Sequence, residues 1–185
     1  VSAVGMAGGG AGRTRPGEIS LSHNGVLFLD ELPEFRRDVI ETLRQPLEDG
    51  QVTVSRISGS CTYPSRFMLV CAMNPCRCGY FGHPSGRCTC SEQSIRNYRK
   101  KISGPMLDRI DLHINVPSVP YEQLKDRKPA ESSEHIRERV NRARDIQKRR
   151  YAGTGIYCNA QLLPGMMLDC CPLTEEARLL MEGAF

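Results

Sequence analysis

Two continuous apolar runs constrain the fold of this chain more than any other feature: VLFL at 26–29 and FMLVCAM at 67–73. Apolar runs that do not alternate with polar residues are typical of parallel strands covered on both faces. Both runs therefore predict buried parallel strands. A further run, RIDLHINV at 109–116, alternates, and it predicts a third strand with one apolar face: Ile110, Leu112, Ile114 and Val116.

The segments between these runs predict helices and a hairpin. GEISLSHNG is compatible with a strand and an Asn-Gly turn, but we favour a short helix that ends at Asn24. An amphipathic helix is predicted from Pro33 to about Leu47 by five apolar residues at helical spacing: Phe35, Val39, Ile40, Leu43 and Leu47. Residues 51–65 predict a β-hairpin with a Gly-Ser tip.

The composition of the sequence changes at Pro117, where a proline-rich connector begins. Ser132 or Ser133 can cap a helix with one apolar side: Ile136, Val140, Ala143 and Ile146. A last helix is predicted from Thr174. Strands that alternate with helices, followed by helices alone, indicate an α/β domain at 1–117 and a small helical domain at 118–185.

Composition excludes several classes of protein. No apolar run approaches the roughly 20 residues that span a bilayer, and no signal-peptide pattern opens the chain, so we expect a cytoplasmic protein. The nine cysteines are an odd number, which argues against a disulfide framework. A net charge of +4 permits a nucleic-acid partner without arguing for one.

Polar side chains follow both continuous apolar runs. Asp30 and Glu31 come directly after the first run, and Asn74 follows the second. Ligands of open α/β sheets bind outside the carboxyl ends of the strands, where these residues would meet. Asp30 could then hold Mg²⁺ through water, Glu31 could act as general base, and Asn74 could orient the attacking water. The simpler alternatives are a helix cap for the acids and a turn before Pro75 for the asparagine.

Three segments resemble the Walker B, sensor 1 and arginine-finger segments of AAA+ ATPases: NGVLFLDELPEF, CAMNPC and SGPMLDRIDLHINVP. More narrowly, they resemble the magnesium-chelatase-like group, the ComM/YifB family. The resemblance also runs through LRQPLEDGQVTVSR and ESSEHIRERVNRARDIQ and covers most of the chain. It implies the C-terminal part of a P-loop NTPase sheet at 1–117, then a linker and a partial helical lid at 118–185. It also implies ATP and Mg²⁺ as cofactors, Asp30 as the Mg-ATP residue, and catalytic roles for Glu31 and Asn74.

The same resemblance implies that Arg109 is the arginine finger. It would reach the γ-phosphate bound by the neighbouring subunit of a homo-oligomeric ring, which we expect to be a hexamer. From the residues alone, a surface ion pair with Asp108 or Asp111 is the simpler expectation. The hairpin at 51–65 resembles the pre-sensor-1 hairpin, which in related motors points into the central channel. Arg56 and Arg66 are therefore candidate contacts to nucleic acid, with a plain surface hairpin as the alternative.

The sequence contains no P-loop of the form GxxxxGK[ST], because GMAGGGAGRT near its start lacks the GK[ST]. The sensor 2 arginine of the family would lie beyond Phe185. We therefore expect the chain to be a piece of a larger ATPase that binds ATP weakly or not at all by itself.

A cysteine-rich loop, CRCGYFGHPSGRCTC, follows the sensor 1 segment. Its four thiols, Cys76, Cys78, Cys88 and Cys90, suit tetrahedral Zn²⁺, although C-x-C is tighter than the usual C-x₂-C spacing. His83 is a spare ligand. The alternatives are a reduced loop without metal and disulfides formed on handling. We expect a structural zinc that staples the loop after sensor 1.

Between Glu134 and Arg150 there are seven Lys or Arg residues and three acids. A DNA-facing surface is one interpretation, but we favour a solvated lid helix.

The leading functional hypothesis is an ATP-hydrolysing ring motor that acts on DNA. By resemblance this action is branch migration, or helicase activity, in recombination and natural transformation. The alternatives are the ATPase subunit of a magnesium chelatase and a non-catalytic, zinc-stapled nucleic-acid-binding module. A Lon-like protease is a further possibility for the family, but no Ser-Lys dyad is identifiable.

Overall fold

A computed structural model of the protein describes residues 1–10, 14–57, 59–119, 125 and 130–184. The chain divides into two compact units, Val1–Val119 and Pro120–Phe185. Their assignment as an ATPase core and a lid stays a prediction. None of the helices in the described ranges is long and apolar enough to cross a membrane.

The first unit contains short helices and strand pairs. Its helices are α1 (Ala3–Ala7), α2 (Glu18–Leu21), α3 (Arg37–Glu41), α4 (Arg44–Asp49), α5 (Glu92–Arg99) and α6 (Gly104–Leu107), with a 3₁₀ turn at Leu32–Glu34. Its strands are β1 (Gly8–Gly9), β2 (Arg15–Pro16), β3 (Val26–Leu29), β4 (Gln51–Arg56), β5 (Gly59–Pro64) and β6 (Met68–Cys71). β1 pairs antiparallel with β2, β4 antiparallel with β5, and β3 parallel with β6.

The two apolar runs are confirmed as neighbouring parallel strands. Val26 lies opposite Met68, and Leu29 lies opposite Cys71. The prediction that both faces of the sheet are covered is wrong for the described residues. Leu27 and Leu29 are buried, but Val26 and Phe28 are 57% and 58% exposed. Alternate side chains of a strand point to opposite faces, so the core covers one face of this sheet and leaves the other open.

The core of the first unit lies against the covered face of the sheet. Its buried apolar residues are Met6, Ile19, Leu27, Leu29, Leu32, Val39, Ile40, Leu43, Val52, Ile102 and Met106. The predicted helix from Pro33 to Leu47 is interrupted, although its apolar residues do face this core. Pro46 has no N–H to donate to the carbonyl of Thr42, so the helix stops at Glu41 and resumes at Arg44.

Other predicted elements differ in detail or are absent. GEISL does form a helix, α2, but it ends at Leu21, and the left-handed residue beyond it is Asn24, with φ 60°. The hairpin is confirmed, with Arg56 paired to Gly59; Ser58 of its tip lies outside the described residues. The predicted third strand is wrong: within 59–119, no strand follows β6. An alternating pattern does not form a strand by itself, because the backbone N–H and C=O groups of a strand need a paired neighbour. Leu112, Ile114 and Val116 are accordingly 81–83% exposed.

The second unit is helical in its described part. It contains α7 (Ser133–Arg150), α8 (Met167–Cys170) and α9 (Glu175–Ala184). Ser132 caps α7, because its hydroxyl accepts the N–H of His135 at 3.3 Å, as predicted. The hydroxyl of Thr174 accepts the N–H of Ala177 at 3.2 Å and starts α9 in the same way. The apolar side predicted for α7 is not buried: Ile136, Val140 and Ile146 are all exposed.

Candidate functional site

The carboxyl ends of β3 and β6 bring the predicted acids and asparagine to one edge of the sheet. Pairing continues past the strands, since Ala72 N–H donates to the Leu29 carbonyl and Leu32 N–H donates to the Ala72 carbonyl, both at 3.0 Å. These two bonds keep the chain after β3 beside the chain after β6. Asp30, Glu31 and Asn74 therefore leave the same edge, and all of them are exposed to solvent. Their catalytic roles stay predictions.

Glu31 has a left-handed backbone conformation, with φ 50° and ψ 46°. Non-glycine residues rarely occupy this region, and such strained positions cluster at functional sites. The N–H of Glu31 donates to Oδ1 of Asp30 at 2.9 Å. Glu31 precedes the 3₁₀ turn, but its side chain makes no capping hydrogen bond. Glu31 therefore does not act as a hydrogen-bonding helix cap.

Arg109 lies just past the C-terminus of α6 and pairs with a glutamate of another helix. Its guanidinium forms an ion pair with Glu48 of α4, and Nη1 donates to the Pro105 carbonyl at 3.4 Å. The alternative partners Asp108 and Asp111 do not hold this arginine. In the described contacts Arg109 is not bonded to Asp30, Glu31 or Asn74, so the structure does not join it to the strand-end edge. Its role as an arginine finger stays a prediction.

The hairpin separates the two arginines predicted to contact nucleic acid. Arg56 ends β4 beside the hairpin tip. Arg66 follows β5 at the base, where its N–H donates to Nδ1 of His23 at 3.0 Å. At ~3.3 Å per residue, the six residues of β5 separate these positions by roughly 20 Å. A contact at the hairpin tip can therefore involve Arg56 and not Arg66.

The four clustered cysteines converge on one point. Sγ of Cys76 lies 3.3 Å from that of Cys78 and 3.9 Å from that of Cys88, and Sγ of Cys78 lies 3.7 Å from that of Cys88. With Cys90, all four sulfurs lie within 4.8 Å of one another. All four thiols are free, and a disulfide requires sulfurs only about 2.05 Å apart.

These sulfur positions fit a tetrahedral metal site. Zn–S bonds of about 2.3 Å at tetrahedral angles place sulfurs about 3.8 Å apart, close to the separations in this cluster. His83 is not part of the cluster of ligand atoms within 4.8 Å of one another, and its Nδ1 accepts the N–H of Ser85 at 3.0 Å within the loop. The prediction of His83 as a spare ligand is therefore wrong for the described arrangement.

Backbone N–H groups of the loop surround the thiols. The N–H of Tyr80, then a hydrogen bond from Cys76, lower the pKa of the Cys78 thiol to about 6. The N–H of Cys90 favours the Cys88 thiolate, but burial and the thiols of Cys78 and Cys76 outweigh it and raise the pKa of Cys88 to about 11. N–H donors aimed at sulfur stabilise thiolate ligands. The surroundings of the loop therefore favour the thiolate at Cys78 and disfavour it at Cys88.

Helix α5 joins the cysteine loop to the strand-end edge, a link that the sequence reasoning missed. Ser91 caps the helix, and Tyr98 is only 5% exposed. Nε of Arg99 donates to the Pro75 carbonyl at 3.4 Å, and its guanidinium carbon lies 5.1 Å from the centre of the Phe81 ring. Ser91 before an Ile95–Tyr98 pair at helical spacing was the available signal.

Comparison with known proteins places these features in a family. Residues 1–124 match the family model for magnesium chelatase, subunit ChlI, and residues 130–185 match the model for the C-terminal part of that subunit. The matched segments include both strand ends and the whole cysteine loop.

Curated relatives match nearly the entire chain. It is 45% identical over 98% of its length to YifB of Escherichia coli K12, an uncharacterized protein. It is 46% identical over 95% of its length to competence protein ComM of Haemophilus influenzae, and 40% identical over 87% to an uncharacterized protein of Mycobacterium tuberculosis. The chain covers 35%, 34% and 31% of these relatives, about a third of their length.

Proposed function

Since this chain belongs to the family of magnesium chelatase subunit ChlI, we propose that it is part of an ATP-hydrolysing AAA+ ring motor. The observation that carries this proposal is the edge where Asp30, Glu31 and Asn74 leave two paired parallel strands. In this proposal Val1–Val119 is the C-terminal part of a P-loop core, and Pro120–Phe185 is part of a helical lid.

Each residue of this edge has a separate role in the proposed hydrolysis of ATP. Mg²⁺, when bound, neutralises charge on the phosphate oxygens. The Asp30 carboxylate, whose Oδ1 accepts the N–H of Glu31, would hold the hydrated ion. Glu31 takes the proton from the attacking water as the water oxygen bonds to the γ-phosphorus and the bond to ADP breaks. The Asn74 amide orients that water.

Arg109 completes the site of a neighbouring subunit in this proposal. A guanidinium placed on the γ-phosphate offsets the negative charge that develops in the transition state. The ion pair with Glu48 holds the side chain of Arg109, which is 32% exposed, in place before it reaches a phosphate. A head-to-tail ring supplies one such arginine at every interface, and we propose a hexamer.

Nucleic acid is the proposed substrate of the motor. The relative from Haemophilus influenzae is named a competence protein, which supports branch migration or helicase action on DNA in recombination and natural transformation. Arg56 at the hairpin tip is the proposed backbone contact. Zinc held by Cys76, Cys78, Cys88 and Cys90 is the proposed structural cofactor, supported by the sulfur separations.

The test is ATP turnover by the complete gene product, with and without single-stranded DNA. Glu31→Gln removes the base while keeping the size of the side chain, and we expect loss of turnover by at least about 100-fold. Glu18→Gln is the matched control, because Glu18 is also exposed but lies in α2, before β3. Turnover that survives Glu31→Gln would refute the role of Glu31 as general base.

The response to DNA separates the candidate functions. Stimulation by DNA supports the motor. Turnover indifferent to DNA would favour an ATPase subunit of a magnesium chelatase, the function for which the matching family is described. DNA binding without ATP turnover in the wild type would refute the proposed ATPase activity. The remaining candidate would be a zinc-stapled nucleic-acid-binding module.

A further inference from the structure

A cleft with net positive charge lies between the chain after Glu31 and the C-terminal end of α5. Its volume is about 570 Å³, and two segments that are distant in sequence form its walls. The first segment contributes residues 34–37, and the second contributes Asn97, Lys100 and Lys101. Four of these side chains are cations and only Glu34 is an acid. We call this feature the basic cleft.

Two of the four cations are paired with acids of the same surface. Nη2 of Arg36 lies 2.8 Å from Oδ2 of Asp38, and Nε of Arg36 donates to Oδ1 at 3.1 Å. Nζ of Lys101 lies 3.7 Å from Oε1 of Glu34. The charges of Arg36 and Lys101 are therefore balanced locally and do not call for a ligand.

The other two cations, Arg37 and Lys100, form no ion pair within the part of the chain that the structure describes. Glu41 lies one helical turn after Arg37, but it pairs with Arg44 instead, with 3.2 Å between Oε2 and Nη1. Lys100 caps the C-terminus of α5, where the helix carbonyl groups favour a cation. Arg37 begins α3, where the N–H groups disfavour one. Local structure therefore does not explain the charge of Arg37.

The lining of the basic cleft has the chemistry that binds a nucleic-acid strand. Arg and Lys side chains donate to phosphate oxygens, and an amide such as that of Asn97 can donate to phosphate or sugar oxygens. Phe35 is partly buried against the core and adds aromatic surface to the cleft. Proteins that bind single strands combine cations for the backbone with aromatic surface for the bases. An acidic peptide would use the cations but not the ring.

We propose that the basic cleft is a second nucleic-acid site, in which Arg37 and Lys100 bind phosphates of a single strand. The cleft shares no lining residue with the hairpin, whose tip carries the contact proposed at Arg56. It begins at Glu34, in the 3₁₀ turn that follows Glu31, so the bound strand lies beside the chain that leaves β3. The choice of nucleic acid as ligand rests on the proposed function, but binding in the cleft requires no ATP turnover.

The experiment measures how tightly the complete gene product binds fluorescent oligothymidylate, by anisotropy, without ATP and at a series of salt concentrations. The test variants are Arg37→Gln and Lys100→Gln, each of which removes one charge from an exposed residue. The matched control is Arg96→Gln. Arg96 is also an exposed cation of α5, but it lies outside the cleft and pairs with Glu92, with 2.8 Å between Nη2 and Oε2.

Each test variant should reduce the slope of log Kd against log salt by about 0.7, which is the value for one phosphate contact to a single strand. At a salt concentration of about 0.15 M, this loss corresponds to roughly fourfold weaker binding. Arg96→Gln should keep the slope and the affinity of the wild type. The KM for ATP should be unchanged in all three variants, because the cleft is proposed to bind the strand and not the nucleotide.

An unchanged slope and affinity in both test variants would overturn the proposal, as would a wild type that does not bind the oligonucleotide. An equal loss in Arg96→Gln would also overturn it, because net charge and not the cleft would then explain the effect. A raised KM for ATP with unchanged DNA affinity would assign the cleft to nucleotide phosphates and overturn the nucleic-acid site.

A competition with poly-glutamate separates a nucleic acid from an acidic protein segment. Poly-glutamate that displaces the oligonucleotide from the wild type at equal charge concentration would overturn the choice of nucleic acid. Failure to displace it supports that choice. A wild type that binds DNA through Arg37 and Lys100 but does not turn over ATP would refute the proposed ATPase and leave the basic cleft supported.

Discussion

Replacing Glu31 by glycine should stabilise the protein while abolishing ATP turnover. Glu31 stands at φ 50° and ψ 46°, where an L-residue costs roughly 1–2 kcal/mol and glycine costs almost nothing. Glycine loses more backbone entropy on folding, which takes back about 0.5–1 kcal/mol. Glu31 is exposed, so little buried area is lost, and its N–H bond to Asp30 belongs to the backbone and remains. The net gain should be about 0.5–1 kcal/mol.

Hydrogen exchange of the peptide covering β3 measures this gain locally. A stabilisation of about 0.5–1 kcal/mol slows exchange by opening roughly two- to fivefold. The control is Asn24→Gly, because Asn24 also has a left-handed backbone, with φ 60°, but lies before β3 and not after it. Asparagine tolerates the left-handed region, so this variant should change exchange less and keep wild-type turnover. Faster exchange in Glu31→Gly would refute the inference of strain, and retained turnover would refute the role of the carboxylate.

Three further predictions concern single features. Burial raises the pKa of the Cys71 thiol to about 11, so at pH 8 only about one Cys71 thiol in a thousand is ionised. Mass mapping after brief alkylation should therefore find the exposed Cys61 labelled and Cys71 protected. Equal labelling of the two cysteines would contradict the burial of Cys71. Mixing inactive Arg109→Ala and Glu31→Gln subunits should restore turnover at about a quarter of ring interfaces, and no restoration over either variant alone would argue against a finger acting between subunits. Ser132→Ala should destabilise the start of α7 by about 1 kcal/mol, because the capping hydroxyl is lost. This loss is measured as faster amide exchange in the first turn of the helix. Ser133→Ala, one position inside the helix, should have a smaller effect.

Local patterns predicted the elements that depend on neighbouring residues. The parallel strands at 26–29 and 68–71, the hairpin, the cap at Ser132 and the start of the last helix all follow from apolar runs, turn residues and hydroxyl caps. The one predicted helix that breaks does so at a residue visible in the sequence, Pro46, whose missing N–H should have been weighed against the apolar spacing.

Contacts between distant residues were settled only by the tertiary structure. Arg109 forms its ion pair with Glu48, a glutamate 61 residues away. The sequence suggested the neighbouring Asp108 or Asp111 instead, and nothing in the local spacing pointed to Glu48. The alternation at 109–116 satisfies a strand pattern, yet no described strand pairs with it. Pairing and ion pairs depend on which surfaces meet, and a local pattern carries no record of that.

The sequence by itself determined the chemistry available to this protein: two acids and an asparagine after apolar strands, and four thiols in one loop. The tertiary structure alone decided how those groups are connected. Parallel pairing of β3 with β6 brings the acids and the asparagine to one edge, and folding of the loop brings the sulfurs within 4.8 Å. Packing of α5 then places Arg99 against the Pro75 carbonyl and the Phe81 ring. Chemistry follows from residue type, whereas proximity follows from burial and pairing summed over the whole fold.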